Sequence, residues 1–258
     1  MTISTVLLVG GTGSIGRLVA QQAVDAGLRV RAVVRDAERA ARTLPDAVEL
    51  LVGDPGDPAT AAAAVEGMDA VVFTHGTHAS AAEVERVDYG FVRSVLDAAR
   101  GRDIRIALMT AIGVTVHDSP YNRQLGSHDQ KRRAERLVRR SGHPYTVVRP
   151  GWFDYNDADE RHLVFLQGDG RRAGDSSDGV IARDQIARVL LAGLTADAER
   201  LTLELVAERG PEQDDLAPLF AALTPDAADA TDGALDPDTL PLADEPASVR
   251  EDLAALSS

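Results

Sequence analysis

Cysteine is absent from the 258-residue chain, so disulfide frameworks, thiolate zinc sites and cysteine nucleophiles are excluded at the outset. Long apolar runs are absent too. No stretch approaches the roughly 20 residues that a membrane-spanning helix needs, and Met1-Thr2-Ile3-Ser4 leads into a strand without a basic region or a small-residue cleavage site. The expectation is a cytoplasmic protein with no membrane partner. Positive charge is also in short supply: the formal net charge is −14, and residues 211–258 hold 12 Asp and Glu against the single Arg250. Nucleic acid is therefore not an expected partner, because phosphate binding needs a basic footprint that releases counterions. Arg132, Arg133, Arg136, Arg139 and Arg140 do cluster, and they read as the solvated face of one helix. Lysine occurs once, at Lys131, and tryptophan once, at Trp152.

What is present is a long alternation of apolar β-branched runs with amphipathic or alanine-rich segments, the pattern of repeated βαβ units around a parallel sheet. It predicts strands near 3–9, 28–34, 47–52, 69–74, 103–110 and 144–149, and helices near 14–26, 37–44, 57–66, 80–100 and 128–141. Right-handed crossovers then give a doubly wound sheet with its ligand crevice at the carboxyl ends of the strands. At 258 residues and 44% hydrophobic content, one α/β domain is expected, with 1–150 as its core. A substrate lobe over 151–224 would follow, with an apolar run at 162–167, a helix near 182–194, a strand near 201–207 and a helix over 212–223. The composition of the acidic tail, 225–258, leans towards disorder, although Leu240, Leu242, Val249 and Leu253 offer apolar anchors.

The first predicted strand, Val6-Leu7-Leu8-Val9, runs into Gly10-Gly11-Thr12-Gly13-Ser14-Ile15-Gly16 and then into a helix. Gly10, Gly13 and Gly16 have the spacing of a tight bend, a close approach of backbone to pyrophosphate, and close packing of helix on strand, with the anion on the helix N-terminus. Gly10, Thr12, Gly13, Ser14, Ile15 and Gly16 are thus expected against a dinucleotide, in a Rossmann-type fold. Which dinucleotide is bound is read at the end of the second strand, Val33-Val34-Arg35-Asp36: Arg35 suits the 2′-phosphate of NADP, while Asp36 suits either the ribose of NAD or the N-cap of the next helix. Arg17 and Arg39 are expected near Arg35 in the fold, so NADP is favoured. Asp54, after the third strand, suits the adenine edge or a turn. Thr74-His75-Gly76, after the fourth, is expected along the adenosine ribose and pyrophosphate. His75 and His78 have no third partner in sequence for a metal site.

With these pieces in place, the chain resembles the short-chain dehydrogenase/reductase superfamily, and within it the atypical, NmrA-like or NAD(P)H-binding branch. The matching residues are Gly10–Gly16, Val34-Arg35, Gly53-Asp54, Met109-Thr110-Ala111, Lys131-Arg132-Arg133-Ala134-Glu135 and Ser141–Gly151, which together span about residues 5 to 152. The resemblance implies that Arg149-Pro150-Gly151 borders the nicotinamide, that Thr110 supplies a hydroxyl to the site, and that Lys131 binds the nicotinamide ribose and lowers the pKa of a neighbouring acid. An ordinary surface lysine is the competing reading of Lys131, opposed by the inward face it shares with Ala134 and Val138.

The family places a tyrosine four residues before this lysine, where this chain has Ser127. A serine hydroxyl is a far weaker acid than a phenol, and Ser127-His128-Asp129-Gln130 also reads as a capping box. His128, one helical turn from Lys131, and Tyr121, in the preceding loop, are therefore the candidate proton-transfer groups, with His128 alternatively a packing residue at the helix start. Trp152, Phe153 and Tyr155 suit either a substrate wall or a hydrophobic plug. The expected activity is hydride transfer between NADP and a small carbonyl or enone. The alternatives are a dinucleotide-sensing regulator without chemistry and an isomerase or dehydratase on the same fold.

Overall fold

A computed structural model of the chain describes residues 2–195 and 199–256. Six parallel strands form where the alternation predicted them: β1 (Thr5–Val9), β2 (Arg29–Val34), β3 (Glu49–Val52), β4 (Ala70–Phe73), β5 (Arg105–Met109) and β6 (Tyr145–Pro150). Their order in the sheet is β3-β2-β1-β4-β5-β6, so the winding reverses between β1 and β4 and opens a crevice there. Side chains alternate across the sheet with the period of two that strands impose. Val6 and Leu8 face the core shared with helix α1 (Gly16–Asp25), whereas Leu7 and Val9 face the one beneath helix α3 (Pro58–Val65). Helix α2 (Ala37–Ala41) is capped by Asp36, whose carboxylate accepts from the Arg39 amide at 2.9 Å.

The long helix expected over 80–100 is interrupted: α4 (Ala81–Val84) passes through a π-helical turn, Glu85–Gly90, into α5 (Phe91–Ala99). A π turn shifts the facing of the residues it carries, and here Val87, Asp88 and Tyr89 are all buried. After β5 come α6 (Asn122–Leu125) and α7 (Ser127–Arg140). The capping box expected at Ser127 does not form. Gly126, at φ 69°, precedes the helix, and the Asn122 side chain accepts from the His128 and Asp129 amides at 2.9 and 3.2 Å in its place.

The expected substrate lobe contributes much of its chain to the core. Beyond the short β7 (Trp152–Phe153), β8 (His162–Leu166) and β9 (Val180–Ile181), helix α8 (Arg183–Thr195) packs beside α1, and β10 (Leu201–Glu208) pairs in parallel with β6 as the seventh strand of the sheet. β8 and β9 then pair antiparallel to β10. The helix predicted over 212–223 shortens to α9 (Ala217–Ala221), because Pro218 lacks the N–H an upstream turn would need and is tolerated only in the first turn.

Two further expectations are overturned together. The tail is folded onto the domain: Leu240, Val249 and Leu253 are buried, and the last helix, α10 (Ala247–Leu256), packs on α7. Leu242 stays exposed, and the tail's final two residues lie outside those described. The arginines of α7 are not a solvated face. Arg132, Arg136 and Arg139 are buried, and only three of the nine buried residues of α7 are apolar. Asp232 bridges Arg132 and Arg136 at 3.0 and 2.9 Å, Glu245 bridges Arg133 and Arg136 at 2.6 and 2.7 Å, and Asp226 holds Arg139 at 3.1 Å. Glu135, on the same helix, pairs with Arg139 and with Arg149 of β6, and Arg149 in turn reaches Asp236 at 2.7 Å. These arginines hold Glu135 down to about 2 despite its burial. The tail supplies the counter-charges that let a basic helix lie inside the protein.

Removing one member of such a set leaves its partner charged and dry, which costs far more than the intact pair contributes. Arg136→Ala is therefore expected to lower the unfolding free energy by about 3–5 kcal/mol, read as the urea midpoint. A surface-like loss under about 0.5 kcal/mol would contradict the burial of this ladder.

Candidate functional site

The crevice between β1 and β4 is built from backbone. A Cβ on Gly10, whose φ is 93°, would lie 2.6 Å from the His75 amide nitrogen, and one on Gly16 would run into the Gly10 carbonyl oxygen. The turn is closed by the Gly13 amide donating to the Gly10 carbonyl at 3.0 Å, and Ile15 is buried beneath it. Thr12 is half-buried and Ser14 is exposed at the mouth, where the chain enters α1 and an anion would meet the helix N-terminus. The buried Thr74 hydroxyl donates to the Val9 and Gly10 carbonyls at 3.3 and 3.4 Å, so it braces the turn from the β4 side.

At the end of β2, Arg35 is exposed, as are Arg17 and Arg39. Asp36 is committed to its helix cap. Asp54 is engaged as well: one oxygen accepts from the Gly56 amide at 2.8 Å and the other from Arg86 at 2.7 Å, while Arg86 also grips Glu83 at 2.8 Å. Asp54 thus has both the turn role and an ion pair, and Arg86, which no sequence pattern had flagged, stands at this edge of the crevice.

The floor lies under Gly76. A Cβ there would sit 3.3 Å from both the Lys131 ammonium and the Asp88 carboxylate, which form an ion pair with each other. Lys131 is mostly buried, Ala134 and Val138 share its inward orientation, and Asp88 is delivered by the π turn. Asp88 was missed in the sequence because it falls inside an apparently regular helix; the π turn that turns it inward has no sequence signature. His75 packs edge-on to Phe73 and tilted on Phe91, at 5.6 and 5.7 Å, and does not face His78. Burial, with Lys131 adding to it, pushes the His75 imidazole down to about 4 against the opposing pull of Asp88.

One turn before Lys131 the proton-transfer candidates converge. The Tyr121 and His128 rings lie 4.9 Å apart, and the Tyr121 hydroxyl reaches His78 Nδ1 at 3.3 Å. Ser127 is buried; burial raises the pKa of the Tyr121 phenol, and Ser127 opposes that rise. Burial, aided by Lys131, lowers the pKa of His128, and its Nδ1 is buried without a hydrogen-bond partner. Gly113 lies against the His128 ring, and the 113–115 loop is held by Asp169, whose carboxylate accepts from the Gly113 and Thr115 amides at 2.7 and 2.8 Å.

Five of the expected site residues are placed differently. Thr110 is buried with its hydroxyl donating to Glu135 at 2.7 Å, so it belongs to the arginine network. Arg149 is buried in the same network, which leaves Pro150, at the end of β6, as the residue of that segment nearest the crevice mouth, accepting from the Ile112 amide at 3.1 Å. Trp152 and Tyr155 are exposed and meet edge-on at 6.0 Å, while Phe153 is half-buried beneath the Arg183 guanidinium at 5.4 Å. They are neither a plug nor, by themselves, an enclosed wall.

The depressed His75 has a consequence for stability. Its folded value, about 4, lies below the ordinary 6.5, so the imidazole stays neutral in the fold while the unfolded chain takes up a proton first. Its contribution is present above pH 6.5 and is lost as the pH falls towards 4, by up to about 3 kcal/mol. His75→Asn should flatten the fall in unfolding free energy between pH 6.5 and 4. An unchanged slope would show that His75 is freely protonated in the fold.

The model of the NAD(P)H-binding family matches residues 10–197 of the chain. An uncharacterized sugar epimerase of Bacillus subtilis is 28% identical over 194 residues, covering 73% of this chain and 87% of that protein. The NAD(P)H azoreductase of Xenophilus azovorans is 32% identical over 154 residues, covering 58% of this chain; the match spans about half, 49%, of that enzyme. Among solved structures, an NAD-dependent epimerase/dehydratase-like protein from Bacillus halodurans superposes with a TM-score of 0.68 at 21% identity, covering 85% of this chain and all of that one. The match begins at the glycine turn, where a side chain at Gly10 or Gly16 would collide with the backbone of the turn and of the β4 end. The chain belongs to the NAD(P)H-binding family.

Proposed function

We propose that the protein is an NADP-dependent reductase acting on a small carbonyl or enone. The observation that carries this reading is the constellation on the crevice floor: the chain's one lysine, Lys131, paired with buried Asp88, one helical turn from Ser127 and His128, with the Tyr121 ring packed on His128. When bound, the nicotinamide cofactor supplies hydride. The protein's own residues supply binding, orientation and a proton. The Gly10–Gly16 turn receives the diphosphate, and Lys131 donates to ribose hydroxyls while Asp88 fixes its position. Arg35, exposed at the end of β2, reads the 2′-phosphate; the engagement of Asp36 in the α2 cap leaves it poorly placed to compete as a ribose acceptor.

Tyr121 is the proton donor in this reading. Its phenol, raised above its ordinary value by burial, is fully protonated at neutral pH, and it lies beside Ser127, the position the family gives to tyrosine. The chain thus replaces a tyrosine on the helix by one from the loop before it. His128, kept neutral by burial and by Lys131, packs on that phenol and orients it. The name of the azoreductase relative supports a redox reaction. The name of the epimerase relative favours a second reading, proton transfer through His128 without net redox change, which product formation without cofactor consumption would identify.

Tyr121→Phe is expected to lower the rate of carbonyl reduction by about 10²–10⁴-fold while leaving NADPH affinity unchanged. A rate within about threefold of the wild type would assign the proton to another group. Arg35→Asp should weaken NADPH binding by tenfold or more and leave NADH binding nearly untouched; equal losses for both would remove Arg35 as the phosphate reader.

A further inference from the structure

Arg183 begins α8, 169 residues after the phosphate turn, yet its Nε donates to the Ser14 hydroxyl at 3.2 Å. Its Nη1 forms an ion pair with Asp154, and Asp154 also accepts from the Arg183 amide at 3.1 Å. The guanidinium lies over Phe153 and its side chain is about one-third exposed, at 34%, on the crevice side of the turn. Asp154 itself adopts φ 57°, a left-handed conformation that marks a constrained position in a non-glycine residue. The Gly10–Gly16 turn has no cation within it. Arg183 is the basic side chain that reaches it by a hydrogen bond among the described residues.

We infer that Arg183 is a diphosphate-binding residue of the cofactor site, held in waiting by Asp154. This rests on the dinucleotide reading above. A diphosphate carries two negative charges, and a guanidinium presents a planar fork that matches phosphate oxygens two at a time. Asp154 offers the same kind of partner in the free protein. When the diphosphate occupies the cradle beside Ser14, Arg183 exchanges the carboxylate for phosphate oxygens. Because Asp154 follows Trp152 and Phe153 directly, that exchange links cofactor occupancy to the segment that carries Trp152, Phe153 and Tyr155.

The test is calorimetric titration of the full-length protein with NADPH and, separately, with adenosine 2′-monophosphate, which carries the adenine and 2′-phosphate but no diphosphate. Arg183→Ala should weaken NADPH binding by tenfold or more and leave adenosine 2′-monophosphate within twofold. Asp154→Asn, which frees the guanidinium, should tighten NADPH binding, and it keeps the proposal testable if the alanine variant does not fold. Unchanged NADPH affinity in Arg183→Ala overturns the inference, as does a parallel loss of both ligands. Absence of NADPH binding to the wild type would instead bring down the dinucleotide reading, and this inference with it.

Discussion

Arg149 has no access to water, and its partners account for much of the rest of the molecule. It extends from β6 to Glu135 of α7, to Glu204 directly across on β10, and to Asp236 of the tail. A buried guanidinium is tolerable only when every N–H has an acceptor and its charge is matched. That requirement draws together a strand, its neighbour, a helix and a distant segment of chain. Glu204, crowded by Asp169 and Asp236 and taken out of water, is pushed up to about 7, while Glu135, between two arginines, is held near 2. The two carboxyls differ because Glu135 has two guanidiniums at close range and Glu204 has one, at 3.2 Å.

The same network aligns the crevice. Glu135 takes the Thr110 hydroxyl, and Glu204 accepts from the Asp169 amide, whose side chain holds the Gly113–Thr115 loop against His128. On the other side, Glu245 fixes α7 through Arg133 and Arg136, and Asp252 of α10 accepts from the Tyr89 hydroxyl in the π turn that carries Asp88. Both partners of the Lys131–Asp88 pair are therefore buttressed by the acidic tail. Arginine serves the interior, where its fixed fork saturates several acceptors at once. Lysine is kept for the crevice floor, where a compact, mobile ammonium can move between a carboxylate and a ligand hydroxyl.

Proton chemistry on this floor is set by dehydration more than by charge. Burial is the largest influence on His75, His128 and Tyr121 alike, and it favours the neutral form of each. A crevice lined by a neutral phenol and neutral imidazoles around one ion pair can deliver a proton without placing a second cation beside Lys131.

The strands, the glycine cradle, the Asp36 cap and the inward face of Lys131 were legible in the sequence, because each follows from local periodicity, from a backbone shape only glycine allows, from a capping side chain, or from helix phase. Asp88, Arg86 and Arg183 were not. Their roles depend on a π turn, on a neighbouring loop, and on a helix that returns to the first turn of the fold from 169 residues away. The basic helix and the acidic tail were each visible, but were read apart, as a solvated face and as a tail leaning towards disorder with a few apolar anchors. Local patterning cannot say that two segments roughly a hundred residues apart will neutralise each other. Only the tertiary structure decided that, because a charge is buried or exposed according to what packs against it rather than according to its own place in the chain.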